Sequence, residues 1–223
     1  MDKKTTLEMI AAISNANGTS GFEDEVVAAI RPYAEGLEKL QKIACATCIS
    51  AVKKIMANVR LFSLTHIVMR LVLWCRLSAR TEHFALFRSE VGSTIIFRHI
   101  KSGSQPIRRY IPGLTASKPP HFMTEQERKA PLDMKDITVD VGAVSKEEAI
   151  EKFGIRIGEP VVPDVTFTYS ENTDLMVGKS FDCRLGCAAI LKTMHTLAGE
   201  DLNVDIVGAC AAQEEVGVRG ATV

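Results

Sequence analysis

A nearly unbroken apolar run, Val204 to Ala212, ends in Gln213-Glu214-Glu215 and meets Gly217 almost at once. A strand of this composition needs cover on both faces, as the central strands of α/β sheets have. Such sheets place their ligands at the carboxyl ends of their strands, which is where Gln213-Glu214-Glu215 falls. Neighbouring side chains on a regular strand point to opposite faces, so both glutamates serve one site only if the backbone turns there. Gly217 makes that turn available.

The segment Lys179 to Ala189 stands about thirty residues upstream and leads into a helix over 183–197, with Leu185, Ala188, Ala189 and Leu191 as its apolar positions. Asp182 lies at the start of that helix. Carboxylates held at strand ends and helix starts can gather divalent cations and leave an oxygen free to act as a base. Plainer readings stand beside this one. Asp182 alone would serve as a helix N-cap, and Glu214 and Glu215 alone as a solvated strand end.

The rest of the chain divides into three kinds of text. Thr5-x-x-Glu8 and Ser20-x-x-Glu23 fit capping boxes, Asn17-Gly18 and Ser20-Gly21 break the two helices they would open, and Val26, Val27, Ile30 and Tyr33 recur at helical spacing. From 42 to 110 the apolar residues follow neither helical nor strand period. Glycine is absent from Leu37 to Val91, and twelve Lys or Arg face only Glu82 and Glu90 between 42 and 110. Beyond Gly113, Ser117-Lys118-Pro119-Pro120-His121 reads as an extended, turn-rich passage. Ile137–Val141, Val161–Tyr169 and Leu175–Val177 read as strands, and Ser145-x-x-Glu148 opens a short helix that Gly154 closes.

Overall charge balances at 27 basic and 27 acidic residues, which gives no drive toward nucleic acid or an anionic membrane. The longest apolar stretch, Leu61 to Leu77, carries His66, Arg70 and Arg76, whereas a membrane-spanning helix needs about 20 apolar residues. Six scattered cysteines without framework spacing point to a reducing cytoplasm. Cys45-x-x-Cys48 lacks the second pair that a zinc finger needs, and Cys183 and Cys187 read as small buried residues. His66, His83, His99 and His121 have no second histidine at i+4, so spacing marks no metal pair.

These residues resemble a known family. Asn17-Gly18-Thr19-Ser20-Gly21-Phe22-Glu23, Ala116 to His121, Asp140-Val141-Gly142-Ala143 with Ser145 to Ala149, Phe181-Asp182-Cys183-Arg184-Leu185-Gly186-Cys187 and Gln213 to Ala221 look like segments of the cytoplasmic glutamyl and deblocking metallo-aminopeptidases. Those enzymes form tetrahedral particles and are often labelled endoglucanase or cellulase M. The resemblance implies an α/β/α metallopeptidase sandwich carrying an inserted small β-barrel domain, both incomplete here. It implies two divalent metal ions (zinc, cobalt or manganese), with Asp182 bridging them, Glu215 binding one and Glu214 acting as general base. It further implies peptide substrates, homo-oligomers and no nucleic-acid or membrane partner.

The resulting domain expectation runs 1–41 for the first part of the catalytic domain, 42–110 for an aberrant segment, 111–165 for a remnant of the inserted domain and 166–223 for the rest of the catalytic domain. The family's first metal histidine belongs to a His-x-Asp-Glu-Ile-Gly segment expected near residue 66, which the chain does not spell. Codons for His66 to Trp74 read from the third base of His66 permit His-Ser-Asp-Glu-Ile-Gly-Phe-Val, so 42–110 is read as a frameshifted stretch. The later metal ligands of the family would fall beyond residue 223, and a chain with only Asp182 and Glu215 in place is expected to be inactive by itself. Paired carboxylates also suit a glycoside hydrolase, and residues 111–170 suit a non-catalytic assembly fragment.

Overall fold

The computed structural model describes residues 1–37, 40–43, 46–52, 61–67, 73–77, 84–87, 94–99, 109–116, 120–130, 137–200, 205–217 and 219. In chain order these form α1 (Lys3–Asn15), α2 (Asp24–Ala34), β1 (Leu40–Ile43), β2 (Ala46–Val52), β3 (Leu61–Ile67), β4 (Leu73–Leu77), β5 (Phe84–Phe87) and β6 (Thr94–His99). There follow β7 (Arg109–Ala116), α3 (Glu125–Lys129), β8 (Thr138–Asp140), α4 (Lys146–Glu151), β9 (Pro160–Pro163), β10 (Thr168–Ser170), β11 (Leu175–Val177), α5 (Phe181–Leu197) and β12 (Asp205–Ala211). Two compact units result, one from Met1–Arg70 with Val165–Val223 and the other from Leu71–Asp164.

The first unit is α/β. Its sheet runs β1-β2-β12-β3, with β12 parallel to β3 and antiparallel to β2. The expected buried strand is therefore internal to the sheet. Helices α1, α2 and α5 pack with it through Met9, Ile13, Val26, Ile30, Leu191, Met194 and Cys210. Gly208 of β12 permits the close approach of α5, since a Cβ there would lie 2.6 Å from Ile190 Cγ2. Register sets residue 66 of β3 opposite Cys210, so β3 and β12 end at the same sheet edge.

Local capping differs from the sequence expectation at α1. Asp2, not Thr5, caps it: the Thr5 N–H donates to Asp2 Oδ1 at 2.8 Å. A carboxylate is the stronger acceptor at a helix N-terminus, and it lies one turn earlier. In the second unit Ser145 caps α4 as expected, taking the Glu148 N–H at 3.1 Å, and Gly154 follows the helix with φ 74°.

That second unit is a closed barrel, β4-β5-β8-β7-β6-β9, with Ile111, Ile137, Val139, Ile155 and Val161 in its core. Strand backbone occupies much of 42–110, where the sequence showed no period. Beside the local pairs β1–β2 and β4–β5, partners lie elsewhere in the chain: β2 and β3 pair with β12, β4 and β6 with β9, and β5 with β8. Pairing of this kind is set by tertiary context and leaves little local trace. The expected strand Val161–Tyr169 divides at Pro163, which has no N–H for a ladder, into β9 and the β10–β11 hairpin. Residues 117–119 and Cys45 lie outside the described residues, and no described helix is long and apolar enough to cross a membrane.

The contact at Gly208 generates a stability test. Gly208→Ala is expected to cost about 1–3 kcal/mol through overpacking against Ile190. Gly199→Ala, where an added carbon meets nothing within 4 Å, should stay within about 0.5 kcal/mol of the parent in urea unfolding.

Candidate active site

Buried Ala211 and Ala212 bring β12 to the sheet edge, where the backbone leaves the strand at Gln213, whose φ is 57°. A tight turn follows: the Gly217 N–H donates to the Glu214 carbonyl at 3.0 Å, and Gly217 takes φ 110°. Departure from strand geometry removes the opposite-face problem, so Glu214 and Glu215 can face one region.

The turn is fastened from the α1–α2 connection. The Gln213 N–H donates to Glu23 Oε1 at 2.8 Å, and the Glu215 N–H donates to Ser20 Oγ at 3.3 Å. Ser20 and Glu23 were expected to form a capping box for α2. Instead, Glu23 stands at the N-cap position without a side-chain bond to its own helix. The hydroxyl and carboxylate find better-placed donors in the backbone turn at 213–215.

Asp182 is likewise not a cap. Ser180 occupies the cap position of α5 with φ 59° and ψ 33°, and Asp182 has non-helical φ −82° and ψ 107° next to a cis bond to Cys183. Its side chain is exposed. Two residues on, Arg184 is 2% exposed and anchors the start of α5. Its guanidinium donates to the carbonyls of Ile13 at 2.8 Å, Ala16 at 2.6 Å and Gly18 at 3.0 Å. These include carbonyls that the end of α1 leaves without helical partners. Burial lowers the Arg184 pKa to about 10, with Cys187, Glu23 and Glu25 acting in the opposite sense, so the side chain stays cationic at neutral pH.

The Glu215 carboxyl is held above its ordinary range by burial first, then by the charges of Glu214 and Asp182. Glu214 Oε2 is buried with no hydrogen-bond partner among the described residues. Among the described residues no three His, Cys, Asp or Glu side chains form a ready-made metal cage. Cys187 is buried, as expected, while Cys183 is half-buried. His121 is exposed against Phe122 in the other unit.

Sequence reasoning missed Arg184, Glu23 and Ser20 as supports of this region. Their signal was present, since all three fall inside the two blocks Asn17–Glu23 and Phe181–Cys187.

Comparison with known proteins adds an independent line. The M42 glutamyl aminopeptidase model matches residues 103–223. FrvX of Escherichia coli (strain K12), provisionally named an aminopeptidase, is 38% identical over 50% of this chain and 30% of its own length. The glutamyl aminopeptidase of Lactococcus lactis subsp. cremoris (strain MG1363) is 36% identical over 51% of this chain and 32% of its own. A solved TET aminopeptidase from the marine sediment archaeon Thaumarchaeota archaeon SCGC AB-539-E09 aligns with TM-score 0.83 and 26% identity, over 97% of this chain and 61% of that one. The chain thus matches about a third of the length of these curated relatives.

Crowded carboxylates make stability depend on pH. Because the Glu215 pKa is raised in the folded state, the native chain holds that proton more tightly than the unfolded chain, and stability falls as pH rises above the ordinary carboxylate range. Without divalent cations, Glu215→Gln is expected to raise Tm by about 1–3 °C near pH 7.5 and to leave it unchanged near pH 3.5. Thermal melts in chelator at both pH values make the check.

Proposed function

Since the chain belongs to the M42 glutamyl aminopeptidase family, we propose that its site is built for metal-dependent removal of N-terminal residues from peptides. The observation that carries this reading is the turn at 213–217, which leaves one Glu214 oxygen buried and, among the described residues, without a partner. Beside it stands a Glu215 carboxyl whose pKa is raised by burial and by the charges of Glu214 and Asp182. Like charges crowded without a compensating cation are costly, and hard or borderline divalent cations suit all-oxygen donors.

In this reading Asp182 and Glu215 hold two divalent cations, zinc, cobalt or manganese, and Glu214 stays free. Such cations, when bound, supply Lewis acidity that lowers the pKa of a water and polarises a peptide carbonyl. Glu214 accepts the proton of the attacking water and delivers it to the leaving amine. Half-burial of Glu214 keeps solvent from competing for that proton, and the Ser20 and Glu23 bonds hold its backbone in place. Two ligating carboxylates are a small set for two cations, so affinity is expected to be weak in this chain.

Register sets residue 66 beside Cys210 at the sheet edge, which supports the position at which the resemblance expects the first metal histidine. The resemblance and the TET designation of the solved neighbour support a homo-oligomer acting on peptides. Buried Cys187 and Cys210, which are not joined in a disulfide, support a cytoplasmic setting. A glycoside hydrolase is disfavoured by family membership, and chelation separates the two chemistries.

Cobalt or zinc should raise Tm reversibly, and Asp182→Ala should abolish the rise. Glu214→Gln should keep the rise, and in a frame-restored, full-length version it should lower hydrolysis of aminoacyl arylamides by about 10²–10⁴-fold. Hydrolysis that survives chelation would contradict the proposal. Sequencing the encoding DNA tests the offset frame, which requires an open frame spelling His-Ser-Asp-Glu-Ile-Gly across residue 66.

A further inference from the structure

Glu23 is 6% exposed, and its carboxylate does no work for the helix it precedes. It reaches instead across 190 positions of sequence to the Gln213 N–H, while also accepting from the Gly21 N–H at 2.9 Å. Burying a carboxylate is unfavourable unless hydrogen bonds and a cation offset it. Two backbone donors and the buried Arg184 charge, which senses Glu23, provide both. The residue held is also the one that needs holding. Gln213 is a non-glycine at φ 57°, a conformation that persists only where its surroundings over-determine it.

We propose that Glu23, assisted by Ser20, is a positioning residue for the carboxylate turn. It never touches a cation, yet it sets cation affinity by fixing where Glu214 and Glu215 point. The cation part of this statement rests on the reading under Proposed function; the positioning part does not. The geometry has a clear logic. Glu23 grips the turn on the residue before Glu214, and Ser20 grips it on Glu215 itself. With both N–H groups engaged, the pair of side chains between them cannot swing out together. Outer groups of this kind typically alter metal affinity about 10–100-fold when removed.

Two readouts on the chain separate the outcomes. The first is hydrogen exchange of the 213–217 amides in chelator. Glu23→Ala should speed it about 10-fold or more, because a charge-assisted bond is lost. Glu23→Gln, which keeps a side-chain oxygen as acceptor, should stay within about threefold of the parent. Ser14→Ala is the control for general loosening, since it removes a buried bond to the Lys179 carbonyl (2.7 Å) and not one to the turn. Unchanged exchange in Glu23→Ala, or equal acceleration in Ser14→Ala, overturns the proposal. The second readout is cobalt titration by calorimetry, where Glu23→Ala should weaken binding about 10–100-fold and Ser14→Ala should not. If the parent binds no cobalt, the metal reading falls while exchange still decides the role of Glu23. If Glu23→Ala does not fold, Ser20→Ala decides: faster exchange at Glu215 supports the proposal, and parent-like exchange overturns it.

Discussion

The α/β unit depends on one buried cation. Arg184 places a guanidinium among the carbonyls that close α1, and the charge suits the negative end of that helix. A lysine would not replace it, because three carbonyls at different angles call for a rigid fork of donors. Through this contact the start of α5, which carries Asp182, is tied to the loop that carries Ser20 and Glu23. Those two in turn hold the end of β12. Removing the guanidinium would strand the carbonyls of Ile13, Ala16 and Gly18, at about 1–3 kcal/mol for each acceptor left unsatisfied.

The same connections explain why a site can exist at this edge at all. Asp182 and Glu215 lie on elements separated by a whole helix, and their charges oppose each other. Left to local preference, Asp182 would cap a helix and the two glutamates would point to opposite faces of a strand. The fold withholds both outcomes. Ser180 takes the cap position of α5, and the strand turns at Gln213 before the glutamates can diverge. Functional regions commonly store unfavourable geometry that the surrounding structure sustains.

Much of the fold was legible in the sequence. The run 204–212 announced an internal strand, Val26, Val27 and Ile30 announced a buried helix face, and the family resemblance implied both an α/β unit and a β-barrel. What escaped was non-local. Strand β1 pairs with β2 and β4 with β5, but β2 to β6 also take partners in β7, β8, β9 and β12, which periodicity within 42–110 does not reveal. Of the site, the carboxylates were visible from residue type and position. Their supports were misread because Ser20-x-x-Glu23 has the spacing of a capping box, and only a contact across 190 positions distinguishes the two uses.

Anomalous scattering at the cobalt edge, from crystals of the chain soaked in that cation, tests the central claim most directly. The account expects density between the carboxylates of Asp182 and Glu215, with Glu214 turned toward it and unligated. Cobalt bound elsewhere, or a well-ordered Asp182 and Glu215 pair with no anomalous peak at saturating cation, would contradict it.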